Sequence, residues 1–325
     1  MRPFVFTTAS NSNKALSKKN NAVQFIAGGT NLVDLMKKHI AEPEELIDIT
    51  AVVPATIQPN EKGIHIGAMA RNSAIAMDAG ILSGFPLVAK AVLAGASPQI
   101  RNMASTGGNL LQRTRCPYFY DTTVPCNKRK PGTGCSAING DNRMSAIVGY
   151  SEQCVAVHPS DLCITLAALD AVVIITGKDN KQSSIPFSNF HRLPGSTPDR
   201  DNNLPPNTMI TLIEIQENPF NKNYAYLKLR DRDSYAFALV SVAAALHIQN
   251  NSIVEARLAS GGVAHKPWRW YKSEAFLKGK APTAANFKEA ATIAVSETKP
   301  LAHNKFKTLM LEGAIETALQ QSLNA

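Results

Sequence analysis

Four cysteines in the middle of the chain carry the side chains best suited to bind a metal. Cys116, Cys126, Cys135 and Cys154 are separated by nine, eight and eighteen residues, so they contain neither the CxxC pairs of a zinc ribbon nor the ferredoxin run. Each lies near proline, glycine or polar residues, which suits a backbone wrapped around a buried metal centre. The residues alone leave both metal ligation and unligated thiols open, and they do not separate iron from zinc.

Basic residues surround these cysteines, whereas the fifth cysteine lies elsewhere. Positive charge favours thiolates over thiols and offsets the negative charge of a metal held by four of them. The basic residues concerned are Arg113, Arg115, Lys128 and Arg129. Cys163 falls in "HPSDLCITLAAL", which predicts a helix capped by Ser160, so we expect Cys163 to be an ordinary core residue.

Two glycine pairs form a second group of residues with chemical potential. "FIAGGTNLVDLM" predicts a strand, a glycine turn and a helix, in which the amides of Gly29, Thr30 and Asn31 are available to an anion such as a pyrophosphate. "ASTGGNLL" is a second such turn, and the two together suit one extended phosphate-bearing ligand. Neither is the GxGxxG fingerprint, and a simple tight turn is the alternative interpretation of each.

The elements that must position these residues alternate between strands and helices. "AVQFIAGG", "ELIDIT", "GIHIGAMA", "CVAVH" and "AVVIIT" predict strands, and "RNSAIAMDAGIL" predicts a helix with Asn72 or Ser73 as its cap. Periodicity fails for about forty residues between Gln112 and Gln153, a length that needs something other than a hydrophobic core to organise it. Strands followed by helices in the second half indicate an α+β class, with a domain boundary near residue 180.

Composition limits the classes of protein that the chain can represent. Its 325 residues suit about two domains, and a hydrophobic content of 44% matches a globular protein. The formal charge of +9 is scattered, with no basic tail, so we expect no nucleic-acid binding. No apolar run is long enough for a membrane span or a secretory signal. Five cysteines, an odd number, disfavour a disulfide framework.

The ordered set of motifs resembles one family. "FIAGGTNLVDLM", "ASTGGNLLQ", "HPSDL" and "GGVAHKPWR" together resemble the FAD-binding subunits of the molybdenum hydroxylases, the xanthine dehydrogenase and aldehyde oxidoreductase group. "RTRCPYFYDT" and "PCNKR" are similar to the branch formed by the bacterial periplasmic aldehyde oxidoreductases. The resemblance implies a PCMH-type (vanillyl-alcohol oxidase-like) FAD-binding domain over 1–180, followed by a smaller α+β C-terminal domain of the CO dehydrogenase flavoprotein type over 181–325.

The resemblance also implies cofactors and the residues that hold them. Asp161 and Lys228 match positions near the flavin end or the ribityl chain. The insertion 112–154 is similar to that of relatives with a [4Fe–4S] cluster in this subunit, which assigns Cys116, Cys126, Cys135 and Cys154 as its ligands. Two segments would embrace the FAD diphosphate: Ile26, Ala27, Gly28, Gly29, Thr30, Asn31 and Leu32, and Ser105, Thr106, Gly107, Gly108 and Asn109.

The implied function is electron transfer within a heterotrimer. A large subunit with the molybdenum cofactor would oxidise an aldehyde, a small [2Fe–2S] subunit would pass electrons to this FAD, and an external acceptor would receive them. The chain alone would not oxidise aldehydes, and it would be cytoplasmic, or periplasmic if exported folded with a partner that bears a signal. The alternatives are a self-sufficient flavin oxidoreductase of the same fold and a zinc-stabilised basic module that binds nucleic acid.

Overall fold

The computed structural model describes residues 1–324 as a mixed structure with three sheets. The strands are β1 Val5–Thr8, β2 Val23–Ile26, β3 Glu45–Asp48, β4 Ile57–Asn60, β5 Gly63–Gly67, β6 Val172–Thr176, β7 Gln182–Pro186, β8 Met209–Gln216, β9 Asn223–Leu229, β10 Val240–Gln249, β11 Ser252–Gly261 and β12 Trp268–Arg269. No helix within residues 1–324 is long and apolar enough to cross a membrane.

The helices are mostly short and connect these sheets. They are α1 Ser12–Lys18, α2 Leu32–Lys37, α3 Asn72–Met77, α4 Ala79–Gly84, α5 Pro86–Ala94, α6 Pro98–Met103, α7 Thr106–Leu110, α8 Pro117–Tyr120, α9 Ser136–Asn139, α10 Asp161–Ala168, α11 Phe187–Phe190, α12 Tyr271–Leu277, α13 Ala284–Val295 and α14 Phe306–Ser322, with a 3₁₀ turn at Lys178–Asn180. The strands and helices confirm the predicted α+β class.

The sheets differ in strand direction. The first is parallel, with the order β1-β3-β2. The second is antiparallel, with the order β4-β5-β8-β6-β7, and the third is antiparallel, with the order β12-β11-β10-β9. β6 pairs with both β7 and β8, so the second sheet continues across residue 180, where the boundary is expected.

Strand β10 joins the two hydrophobic cores because its side chains alternate between them. Ala243 and Ala245 pack in the core of the first two sheets and α5 and α10, whereas Val242, Ala244 and Leu246 pack with α13 and α14. Successive side chains of a strand point to opposite faces. The small alanines let helices approach both faces of this buried strand, which fixes the C-terminal region against the N-terminal one.

Three local predictions were wrong. "RNSAIAMDAGIL" forms two helices, because Asp78 stops α3 and its carboxylate caps α4 by accepting from the Ile81 amide at 3.0 Å. Arg71 holds the cap position expected of Asn72 or Ser73, and its side chain makes no capping hydrogen bond to the helix. Residues 154–158 form no strand, since their backbone bonds go to separate loops, as in the bond from the His158 amide to Ala264 O at 2.9 Å.

Candidate functional site

The main cavity of the molecule lies between the two cores and has a volume of about 860 Å³. This falls within the usual range for ligand sites, roughly 300–1,000 Å³. Residues distant in sequence meet along it, including Thr30, Asn31, Asn109, Ser160, Asp161 and Lys228. Five of these six are predicted site residues. Ser160 is the predicted helix cap, and its hydroxyl accepts from the Cys163 amide and donates to Asn109 Oδ1.

The first glycine turn follows β2 and has backbone demands that only glycine meets cheaply. A Cβ on Gly28 would lie 1.8 Å from the Met103 carbonyl oxygen, and Gly29 has a left-handed φ of +73°. Within residues 1–324 the amides of Gly29, Thr30 and Asn31 donate to no protein acceptor. They are therefore available to an anionic ligand at this end of the main cavity.

The second glycine turn contributes in a different way. Ser105 caps α7, and the amides of Thr106 and Gly107 donate to Ala70 O at 2.9 Å and Ala68 O at 2.8 Å. Those amides are consequently occupied by protein. Asn109 alone among Ser105–Asn109 lines the main cavity, where its side chain accepts a hydrogen bond from the Ser160 hydroxyl.

A buried ion pair between Lys228 and Asp161 lies in the wall of the main cavity. The Lys228 ammonium donates to Asp161 Oδ2 at 2.8 Å and to Ala94 O at 3.1 Å, and the Tyr226 hydroxyl donates to Asp161 Oδ1 at 2.7 Å. Burial raises the pKa of Tyr226, which keeps its proton on the hydroxyl. The sequence analysis missed Tyr226, although its place two residues before Lys228 on β9 puts both on one face.

Three buried polar atoms on the cavity wall have no protein partner. Within residues 1–324 they are Asn72 Oδ1, Arg115 Nε and His158 Nε2. A buried polar group without a partner costs free energy. A bound polar ligand that supplies hydrogen-bonding atoms would satisfy them, which fits a cofactor with a diphosphate and a heteroaromatic ring.

A group of neutral side chains lies behind His158. The ligand-type atoms of His158, Cys163 and His191 lie within 4.8 Å of one another, and the two imidazole centroids are 4.3 Å apart. Burial lowers the pKa of His191 to about 4 and that of His158 well below its ordinary value. Burial also raises the pKa of the Cys163 thiol to about 12. Cys163 lies inside α10, as predicted, and is fully buried.

The C-terminal helix supports the cavity wall from outside. The Lys307 ammonium is buried and donates to Met144 O at 3.0 Å, Ser145 O at 3.0 Å and Gly262 O at 2.8 Å. All three of those acceptor residues line the main cavity. Burial lowers the pKa of Lys307 to about 7. The sequence carried no signal for this role, since nothing in the first turn of α14 distinguishes Lys307 from an exposed lysine.

The four predicted cysteines meet in a second, smaller cavity. Cys116, Cys126, Cys135 and Cys154 all line it, together with residues such as Phe119, Asn127 and Lys128. Its volume is about 10 Å³, against about 860 Å³ for the main cavity, so the side chains already fill most of the space between them. Antiparallel bridges pair Cys126 with Cys135 and Ser151 with Cys154, so the insertion folds back on itself to bring the thiols together. We call this the cysteine cavity.

Charge in the cysteine cavity is arranged around a buried cation. Lys128 is 2% exposed, and its ammonium contacts Asp201 and donates to Pro198 O at 2.9 Å. Burial raises the pKa of the Cys116 thiol to about 11, whereas a hydrogen bond with Cys154 lowers the pKa of Cys135. A buried ammonium therefore lies beside the thiols, but the pKa of Cys116 is raised by burial and that of Cys154 by its hydrogen bond with Cys135 and by burial, so the predicted preference for thiolates is not evident there.

The two cavities share a wall. Thr114, Cys116 and Ala156 line both of them. The side chain of Cys116, one of the four predicted metal ligands, therefore lies between the cysteine cavity and the main cavity.

Comparison with known proteins defines the class. The family model described as the FAD binding domain in molybdopterin dehydrogenase matches residues 2–216, and the CO dehydrogenase flavoprotein C-terminal domain matches residues 224–322. The chain belongs to this family of flavoprotein subunits, as its motifs predict. FAD is the cofactor of the family, and the main cavity, with its free amides and unpartnered polar atoms, fits it.

Individual relatives sharpen the assignment. The chain is 43% identical, over 92% of its length and 91% of the other, to the aldehyde oxidoreductase FAD-binding subunit PaoB of Escherichia coli. It is 24% identical, over 95% and 93% of the two lengths, to the carbon monoxide dehydrogenase medium chain of Afipia carboxidovorans. Among solved structures, CO dehydrogenase from Oligotropha carboxidovorans covers 99% of this chain and 98% of its own with a TM-score of 0.78 at 20% identity, which shows a shared fold.

Proposed function

We propose that this chain is the electron-transfer flavoprotein subunit of a heterotrimeric, molybdenum-dependent aldehyde oxidoreductase. The observation that carries the proposal is the 43% identity to an aldehyde oxidoreductase FAD-binding subunit along nearly the whole of both chains. The partners would be a large subunit with the molybdenum cofactor and a small [2Fe–2S] subunit. The chain would receive electrons from the small subunit and pass them to an external acceptor.

The main cavity supplies the binding and orientation that this work requires. Bound FAD provides a carrier that exchanges one or two electrons, while the protein supplies placement and electrostatics. The free amides of Gly29, Thr30 and Asn31 would bind the diphosphate. The Asp161 and Lys228 pair would orient the flavin end of the cofactor with one fixed charge of each sign. The roles of the remaining predicted residues, Ile26–Gly28, Leu32 and Ser105–Gly108, would be to shape the two turns.

We further propose that the four cysteines bind a [4Fe–4S] cluster. All four cysteines line one cavity, and the side chains of Cys135 and Cys154 contact each other through a hydrogen bond. The resemblance of the insertion to that of cluster-bearing relatives favours iron, and the buried Lys128 beside the thiols would offset part of the negative charge of a cluster. The alternative is a zinc-stabilised module that uses the same four sulfurs.

The shared wall supports an electronic role for this cluster. Cys116 lines both cavities, so a cluster bound to its sulfur would lie next to the flavin site. We therefore propose that the cluster exchanges electrons with FAD.

The proposed function is tested by comparing the isolated chain with the assembled complex. We expect the purified chain to bind FAD but to show no aldehyde oxidation, and the complex with both partner subunits to reduce an acceptor when aldehyde is added. FAD in the complex should lose its visible absorption on anaerobic addition of aldehyde. Aldehyde oxidation by the isolated chain would instead favour the self-sufficient flavin oxidoreductase.

A further inference from the structure

Arg115 stands beside the cysteine ligand Cys116, yet its side chain faces the main cavity. Its guanidinium contacts the side chains of Asn31 and Tyr120 and forms an ion pair with Asp34 at 3.3 Å. It also lies 5.2 Å from the centre of the Phe237 ring. The residue directly before a cysteine ligand is thus tied to the first glycine turn, 84 positions away in sequence.

The guanidinium has capacity left for an anion. Arg115 Nε is buried and has no protein partner within the described chain. The carboxylate of Asp34 neutralises part of the charge, but its side chain is 44% exposed and is well screened by water. Planar guanidinium groups bind phosphate oxygens with paired hydrogen bonds. Asn31 brings the group to the turn whose amides are free, so an FAD diphosphate bound there would lie within its reach.

The position of Arg115 depends on the insertion. The part of the insertion around Cys116 packs in a small cluster whose buried members are Leu35 of α2, Phe119 and Cys126, whereas the end of the insertion packs in the C-terminal core. A segment with so small a core is poorly fixed without another source of order. Anchoring of Cys116 by a metal centre would hold the neighbouring Arg115 at the glycine turn.

We propose that Arg115 binds the FAD diphosphate and couples the affinity for FAD to occupancy of the four-cysteine site. The coupling rests on the proposed cluster, whereas the diphosphate contact does not. In the proposed coupling, the ordering of Arg115 outweighs the repulsion between an anionic cluster and the diphosphate. Binding free energies couple reciprocally, so bound FAD should equally strengthen retention of the metal.

The test measures FAD affinity with and without metal. Chain depleted of FAD is titrated with FAD by flavin fluorescence, first with iron bound and then after anaerobic removal of iron with a chelator, for wild type and Arg115→Gln. In wild type we expect iron removal to weaken FAD binding by about tenfold, a usual size for coupling. Arg115→Gln should bind FAD about tenfold more weakly even with iron, and iron removal should change it little.

Arg113→Gln is the matched control. Arg113 lies in the same segment and carries the same charge, but its Nε donates to Asp201 at 2.8 Å and it lines neither cavity. We expect it to retain the effect of iron removal on FAD affinity. Equal responses of the two variants, or no effect of iron in wild type, would overturn the coupling. Iron content is measured on every sample. A wild-type chain that never binds iron would show that the proposed cluster is wrong. The FAD affinity of Arg115→Gln would still test the contact between Arg115 and the diphosphate.

Discussion

The regions around the two cavities are stabilised in different ways. The main cavity lies between two extensive hydrophobic cores joined through β10, and sheet and helix positions fix its polar residues. The cysteine cavity lies in a segment whose regular structure is limited to helices of four residues, Pro117–Tyr120 and Ser136–Asn139. Packing therefore forms the first site before any cofactor arrives, whereas chemistry at the four sulfurs must complete the second.

The largest effect is expected from the removal of one cysteine ligand from the cysteine cavity. Cys116→Ser should lose most of the iron, since a [4Fe–4S] cluster takes four cysteine ligands. Cys163→Ser is the control, because Cys163 is buried inside α10 behind the main cavity and lines neither cavity. Iron analysis of both purified variants checks this prediction. Equal loss of iron from the two would show that the ligands are chosen wrongly.

Loss of the Asp161–Lys228 ion pair in the main cavity should instead lower the free energy of unfolding. In Asp161→Asn the Lys228 ammonium, whose side chain is 4% exposed, loses its charged partner. Removing one member of a buried pair costs about 3 kcal/mol, so urea unfolding should show a lower free energy of unfolding while iron content stays unchanged. Asp231→Asn, which breaks an exposed pair with Arg143, should change stability little. Comparable destabilisation by both variants would contradict the assignment of Asp161.

A smaller effect is expected at the first glycine turn. Gly28→Ala places a Cβ against the Met103 carbonyl and must shift the turn, which should weaken FAD binding by about tenfold, or roughly 1.4 kcal/mol. Gly84→Ala is the control, because a Cβ there has no neighbour within 4 Å. Fluorescence titration with FAD measures both. Unchanged affinity in Gly28→Ala would mean that the turn does not contact the cofactor.

The sequence predicts part of each of these two regions. A run of apolar, β-branched residues predicts β6, and Ser160 identifies the start of α10, because these are local signals. The convergence of four cysteines in one cavity also follows from residue chemistry, although their spacing matches no standard motif. Both sites therefore have a partial signature in the sequence.

What the sequence could not predict depends on contacts between distant elements. Lys307 supports the cavity wall from the last helix, and Arg115 reaches a turn 84 positions away. The amides of the second glycine turn look free in sequence but donate to Ala68 and Ala70. No local pattern encodes such partners, since they arise only when the sheets and the insertion pack together.

The most direct test of the account is cofactor analysis of the purified full-length chain, prepared without air. We expect one FAD and about four iron atoms per chain, with a yellow-brown visible spectrum and no stoichiometric zinc. FAD without iron would contradict the claim that the cysteine cavity holds a cluster. A colourless chain with one zinc would contradict the account of both cavities.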